Sequence, residues 1–168
     1  ASNGRAVHFY EKEIRSMGRN TSGVKGIELD DAFVIGCEIV SDANLEQILV
    51  ITENGYGKKT TASEYRLTHR GSKGVKALNT TEKNGNLVSL RSVNGDYDLM
   101  IITDSGIMIR IDLNQISTLK RATQGVRLIN LKDNQKVSTV ALVNKEKEEI
   151  TQEMFENNDE NKQESLEN

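Results

Sequence analysis

Arg70-Gly71-Ser72-Lys73-Gly74-Val75-Lys76 decides how this chain is read, because its frame occurs three times. Arg19, Gly23, Val24 and Lys25 stand 51 residues earlier, and Arg121, Gly125, Val126 and Arg127 stand 51 residues later. Three glycine–valine turns in step with three cationic pairs mark a tandem array, in which one structural unit stacks on its own copies. Each copy then presents positive charge in the same place. A long partner of regular negative charge matches such an array, and duplex DNA is the commonest partner of that kind.

Working outward from the turn, the second and third copies show the unit whole. An apolar run, Ile48-Leu49-Val50-Ile51 or Leu99-Met100-Ile101-Ile102, meets a polar turn, Glu53-Asn54-Gly55 or Asp104-Ser105-Gly106. Asn-Gly and Ser-Gly accept the positive φ of a tight hairpin because glycine has no Cβ to clash. A second extended segment follows, Tyr56 to Thr60 or Ile107 to Ile111. These runs are short and β-branched, so they are predicted to be strands. A less regular stretch with one phased apolar residue (Ile14, Tyr65, Ile116) leads into the Arg-x-x-x-Gly-Val turn. Further strands are predicted at 24–29 and 34–40, 75–78 and 87–93, and 126–131 and 137–143, the last slipping in register by about one residue between copies. Four short strands per unit give an all-β fold of propeller-like blades of four short antiparallel strands, three repeats of 51 residues.

The first copy lacks a counterpart of Ile48–Ile51, since Ala1 aligns with Thr52 and Thr103. A hairpin short of one strand leaves an apolar edge unpaired. The expectation is a C-terminal piece of a longer protein, with an apolar face where further blades dock. Cys37, the single cysteine, lies in the predicted strand 34–40 and is expected to be buried as a small hydrophobe. One thiol makes no internal disulfide, which fits a reducing cytoplasm.

The chain has 168 residues, enough for about one domain of ~150 residues. No Trp is present, so Ile, Val and Leu must build the core. The formal charge of −3 hides a division of the chain. Residues 144–168 hold nine acids and three lysines, whereas residues 1–143 hold 19 basic and 16 acidic side chains. Two regions follow: blades over 1–143, and an acidic, mostly disordered tail over 144–168 with one short amphipathic turn at Ile150, Met154 and Phe155. Tethered beside a mildly basic surface, such a tail would compete with DNA for it.

Catalytic and metal motifs fail on inspection. Gly55-Tyr56-Gly57-Lys58 touches the phosphate-loop pattern, but Lys59 stands where Ser or Thr is required. His8 and His69 have no partner at metal spacing. No catalytic residue and no metal ligand is assigned.

The repeat, its turn and the acidic end together resemble the C-terminal domain of the A subunit of bacterial DNA gyrase. The resemblance is carried by residues 14–27 (Ile14-Arg15-Ser16-Met17-Gly18-Arg19 through Val24-Lys25-Gly26-Ile27), by Thr81-Glu82-Lys83-Asn84-Gly85 and by Ile116 through Val126. It implies a β-pinwheel, a propeller relative whose neighbouring blades exchange strands, of which three copies would be the second half. It also implies a non-catalytic module that binds and wraps duplex DNA within an ATP-dependent type IIA topoisomerase, so that strand passage introduces negative supercoils. The implied partners are duplex DNA, the B subunit, and the rest of the A subunit, in an A2B2 assembly located in the bacterial cytoplasm on the nucleoid. ATP and Mg belong elsewhere in that assembly, and no cofactor is expected in this segment. One departure stands out. The family's heptapeptide Q-R-R-G-G-K-G is matched only in part by Thr68-His69-Arg70-Gly71-Ser72-Lys73-Gly74. That leaves the A subunit of topoisomerase IV, which decatenates and relaxes, as the alternative name; the match along whole blades favours gyrase.

A protein bending DNA needs cations spread along an arc, since B-DNA carries a charge about every 1.7 Å of axis. The phased candidates are Arg19, Arg70 and Arg121, then Lys25, Lys76 and Arg127; Arg15, Lys58, Lys59, Arg66, Lys73, Arg110 and Lys120 flank them. Phosphate contacts position a duplex without reading its bases, so shape-dependent binding is expected. The competing role for the three phased arginines is structural: capping blade carbonyls, or pairing with an acid such as Glu28 or Glu64. A protein-binding β-propeller is the competing function. It would gather its charge on the flat face around the axis, and not on the outer rim.

Overall fold

The computed structural model describes residues 1–95, 97–132 and 134–145. Within them lie nine strands: β1 (Arg5–Ala6), β2 (Gln47–Thr52), β3 (Tyr56–Thr61), β4 (Val75–Lys76), β5 (Leu87–Val93), β6 (Tyr97–Thr103), β7 (Met108–Asp112), β8 (Val126–Arg127) and β9 (Val137–Asn144). Three single 3-10 turns, Glu11–Glu13, Ala62–Glu64 and Leu113–Gln115, recur in step with the sequence repeat. The repeat read from the glycines is thus a repeat of backbone geometry.

The middle unit is a four-stranded antiparallel sheet in the order β5-β2-β3-β8. Three strands come from its own copy. The fourth, β8, is the Gly-Val segment of the next copy. Its register, Tyr56↔Arg127 and Gly57↔Val126, is repeated one copy earlier where β4 pairs β1 through Arg5↔Lys76 and Ala6↔Val75. Each copy therefore lends its Gly-Val strand to the copy before it. The glycine is required there for two reasons. Gly74 and Gly125 take φ of 65° and 79°, and a Cβ on them would meet Ala6 O at 2.2 Å and Gly57 O at 2.9 Å. Only a residue without a side chain lets the turn lie on the preceding hairpin.

β6, β7 and β9 form the third sheet, in the order β7-β6-β9. The slip foreseen in the last strand is real. Ile48 pairs Ser92, whereas its counterpart Leu99 pairs Leu142 instead of Val143. The loop before β9 is one position shorter than the loop before β5, so β9 arrives early against the repeat.

Alternation along β2 divides the core in two. Ile48 and Val50 face Ala62, Tyr65, Ala77, Leu78 and Leu87, while Leu49 and Ile51 face Val93, Leu99, Ile101, Leu113, Ile116, Ile129, Val137 and Val140. A sheet buried on both faces needs a near-continuous apolar run, which is why Ile48–Ile51 does not alternate with polar residues.

Two expectations fail together. Residues 24–29 and 34–40 form no strand, and Cys37 is exposed. Among the described residues no strand pairs with either segment. A strand is defined by its partner, so apolar sequence alone leaves these segments unpaired, with Phe33 and Ile39 exposed to 64% and 86%. The predicted strands at 75–78 and 126–131 contract to two residues each, because only Val-Lys and Val-Arg reach the neighbouring hairpin. Of the acidic tail, Asn144 ends β9 and Lys145 is described; residues 146–168, with the Ile150–Met154–Phe155 turn, lie outside the described residues.

Candidate nucleic-acid interface

The phased cations gather at the seams between copies. At the seam between the first and middle copies, the Arg70 backbone N–H donates to Glu13 Oε2 (3.1 Å), and its side chain donates to Glu13 O (3.1 Å) and Lys25 O (3.3 Å). At the next seam the Arg121 N–H donates to Glu64 Oε2 (3.1 Å) and Arg121 Nη1 to Lys76 O (2.5 Å). Glu13 and Glu64, like Lys25 and Lys76, are 51 residues apart. Each arginine thus holds a carbonyl of the preceding copy's Gly-Val segment, which is an exchanged strand only at Lys76, and rests its turn on the acid of the preceding 3-10 turn. The structural role weighed for Arg70 and Arg121 is real, and it leaves their guanidinium groups half-exposed.

Around each arginine the same side chains recur. A concavity of about 410 Å³ is lined by Glu64, Arg66, Val75, Lys76, Arg121 and Ala122. One copy earlier the corresponding positions are Glu13, Arg15, Val24, Lys25, Arg70 and Gly71. Three cations and one acid thus line the concavity at the second seam, and the same residue types recur in phase at the first, where Arg70 meets Glu13 and Lys25. Lys120 pairs with Glu64 at 3.0 Å, and His69, its counterpart, lies 3.4 Å from Glu13. The Lys120 ammonium and then the Arg121 N–H hold the Glu64 carboxyl below the usual carboxylate range. Glu64 is therefore a fixed anion beneath the cations. Among the described residues, Arg15, Arg19, Lys25 and Arg66 make no side-chain hydrogen bond or ion pair, and all four are exposed.

The remaining candidates divide. Arg127 is exposed but leans on Tyr56: Nη2 donates to the phenol oxygen at 3.0 Å, and the guanidinium carbon lies 5.5 Å from the ring centroid. Lys73 reaches Asp30 at 3.8 Å across exposed surface, and Arg110 pairs with Asp98 at 2.6 Å. Lys58 is withdrawn from the set. Its side chain is fully buried, and Nζ donates to Lys120 O (2.6 Å), Arg121 O (2.5 Å) and Thr123 Oγ1 (3.2 Å). It pins the third copy's turn from below, and burial pushes its pKa down to about 8. Lys59, on the opposite face of β3, is 8% exposed and offers nothing to the rim. Both lysines sit mid-strand, where the hydrophilic run Lys58-Lys59-Thr60-Thr61 gives no sign that the next copy covers it.

Glu13 is the seam residue that the sequence pattern did not single out, although its phase with Glu64 is a readable signal. Asn84 belongs to the same joint: fully buried, it accepts from Thr81 N at 2.7 Å and donates to Asn79 O and Gln124 O at 2.9 and 3.2 Å. No cluster of three or more His, Cys, Asp or Glu side chains placed to hold a metal occurs among the described residues, and no helix there is long and apolar enough to cross a membrane.

Comparison with known proteins follows the repeat closely. The family model described as DNA gyrase C-terminal domain, beta-propeller, matches residues 2–41, 46–94 and 97–144, one match per copy. The DNA gyrase A subunit of Staphylococcus epidermidis is 49% identical over 141 residues, which are 83% of this chain and 16% of that protein. Its Staphylococcus aureus equivalent is 47% identical over 148 residues, 88% of this chain and 17% of the relative. The chain thus spans about one sixth of the length of these relatives. Among solved structures, a DNA gyrase A C-terminal domain superposes with a TM-score of 0.73 at 24% identity, covering 84% of this chain and 48% of that one. A DNA topoisomerase IV C-terminal domain gives 0.79 at 23%, covering 85% and 45%. At such identities the two structures speak for the fold alone.

Proposed function

We propose, from the fact that this chain belongs to the DNA gyrase C-terminal domain family of β-propellers, that it is the DNA-binding and DNA-wrapping module of a gyrase A subunit. The observation that carries this reading is the duplicated seam. Arg15, Lys25 and Arg70 at one joint and Arg66, Lys76 and Arg121 at the next have the same backbone frame and the same acid beneath them. Two like clusters at successive blades supply positive charge along a line, as a bending duplex requires. Bending 20–30 base pairs by 40–90° costs on the order of 1–6 kcal/mol, so several phosphate contacts must act together. Because the groups offered are guanidinium and ammonium, the binding follows charge and shape in preference to base identity.

In this reading the segment is non-catalytic and serves ATP-dependent negative supercoiling by the assembled A and B subunits in the bacterial cytoplasm. The relatives' names favour gyrase over topoisomerase IV. Residues 144–168 act as an acidic tail that competes for the same cations.

Duplex binding by the whole chain, followed by fluorescence anisotropy across a salt series, tests the proposal. Log K should fall steeply with log salt. Arg66→Ala and Lys76→Ala should each weaken binding evenly across sequences and reduce that slope by about one contact. A folded chain that ignores duplex at low salt, or whose slope is indifferent to both substitutions, would sink it and favour a protein-binding propeller.

A further inference from the structure

A second charged site lies between the middle and third copies, built from residues other than those around the Arg121 turn. Lys58 and Lys59 are adjacent in β3, so their side chains leave opposite faces of the sheet. Lys58 finds three acceptors. Lys59, opposite Leu49 in the β2–β3 ladder, is turned to the face that packs on the third copy. Only 8% of its surface is exposed, yet among the described residues its ammonium has no hydrogen-bond acceptor and no ion-pair partner. A cavity of about 380 Å³ opens over it. Gln47, Thr61, Asn94 and Gly95 of the middle copy line this cavity with Lys59, and Asn114 of the third copy completes it.

The next blade shows what is missing. One repeat further on, Lys59 becomes Arg110, Gln47 becomes Asp98 and Thr61 becomes Asp112. There Arg110 binds Asp98 at 2.6 Å, and Asp112 binds Lys145 at 2.9 Å. With the slip of one position between β5 and β9, the counterpart of Lys145 is Gly95. The third blade thus balances two cations with two acids. The middle blade has replaced both acids by neutral amide and hydroxyl groups and one cation by glycine, and has kept the other cation. Asp112 is the nearby acid whose charge reaches Lys59, but its carboxylate is already committed to Lys145 and to the Asn114 N–H. The blades on either side cover the Lys59 stem, and its ammonium is left facing the cavity without a protein acceptor among the described residues.

We propose that this interblade cavity is a binding site for a small oxyanion, a phosphate or carboxylate group, held by the Lys59 ammonium with amide donors from Asn94 and Asn114; the Gln47 amide beside it already donates to Thr118 Oγ1 at 3.1 Å. The anion takes the place that Asp98 fills beside Arg110. The cavity has room for a hydrated oxyanion, and the amide side chains in its lining offer donors that orient it without adding competing negative charge. Because the cavity bridges two copies, an occupant ties the middle blade to the third.

The test uses the whole chain at neutral pH and constant ionic strength. Inorganic phosphate is titrated by calorimetry and by thermal unfolding, with sodium acetate and duplex DNA as parallel probes. Phosphate should bind and raise the Tm, and Lys59→Met should weaken binding by about tenfold or more. Asn114→Asp, which is exposed and nearly isosteric, places a carboxylate at the cavity. It should abolish anion binding and raise the Tm without added anion, so the test does not depend on Lys59→Met folding well. Acetate binding as strongly as phosphate assigns the site to a carboxylate; competition by duplex assigns it to a phosphodiester. Phosphate and acetate both failing to bind wild type, or binding Lys59→Met as well as wild type, overturns the proposal. Loss of duplex binding in Arg66→Ala leaves this result untouched, because the two sites share no residue.

Discussion

The first and middle copies carry the same pattern of residues and reach different structures. In the middle copy, Leu87–Val93 is a continuous strand whose Leu87 and Val93 are buried. In the first copy the apolar run 33–40 forms no strand, and Phe33, Val34 and Ile39 stand exposed. Propensity does not separate the two segments: both are rich in Val, Ile or Leu. What separates them is β2, which pairs with β5 along its whole length and has no counterpart for residues 33–40. In a strand-exchanging array the stability of a segment belongs to the joint, and a copy is only as ordered as the neighbours that close its two edges.

Substitutions at six positions sharpen that contrast, in falling order of effect. Leu49→Ala, at a position 1% exposed between the second and third sheets, should destabilise by about 2–5 kcal/mol in urea unfolding. Ile39→Ala in the unpaired run should change stability by less than about 0.5 kcal/mol. Equal losses at the two positions would show that the first copy is as tightly packed as the middle one.

Lys58→Met comes next, because it strands two carbonyls and a hydroxyl beneath the third copy's turn; a loss of about 1–3 kcal/mol is expected. Burial lowers the folded-state pKa of Lys58 to about 8. The unfolded chain, with an ordinary value of about 10.4, then binds more protons between those limits. The contribution is full above the unfolded value and lost as pH falls through the folded one. Wild-type stability should therefore rise from about pH 8 to about pH 10.4 relative to Lys58→Met. A constant difference between the two proteins over that window would contradict a buried, pH-linked ammonium.

Glu64→Gln and Glu13→Gln compare the two seams directly. Glu64 serves both Lys120 and the Arg121 N–H, whereas Glu13 serves the Arg70 N–H beside a His69 that is almost fully exposed. Glu64→Gln should cost about 1 kcal/mol and Glu13→Gln less, since exposed ion pairs contribute little. The reverse order, measured by chemical unfolding, would place the firmer joint at the first seam.

The smallest effect is expected at Tyr65. Its phenol oxygen is buried without a hydrogen-bond partner, Thr60 beside it donates to Leu119 O, and burial pushes its pKa up to about 12. The other copies place Ile14 and Ile116 at this position. Tyr65→Phe should leave stability unchanged or raise it slightly, by up to about 1 kcal/mol. A clear loss would reveal an acceptor for that hydroxyl.

Much of the fold was legible because glycine and β-branched residues act locally. Gly23, Gly74 and Gly125 mark the turn, Gly55 and Gly106 close the hairpins, and β2, β5 and β6 lie where the apolar runs put them. The candidate interface was legible only in part. Position in the repeat located Lys25, Lys76, Arg70 and Arg121, but a charge pattern does not say which lysine the next copy will cover. Lys58 and Lys59 look in sequence like the most exposed pair of the middle blade, and they are the most buried cations in it.

The period of the repeat, the β class and the recurrence of charge followed from sequence alone, because turns, strand propensity and spacing are properties of neighbours along the chain. The exchange of β4 and β8 into preceding sheets, the use of Glu13 and Glu64 as seats for arginine turns, and the unpaired ammonium between blades were decided by tertiary structure. Each depends on groups from different copies, distant along the chain, meeting in space, and on how much water their meeting removes. No local pattern carries that information.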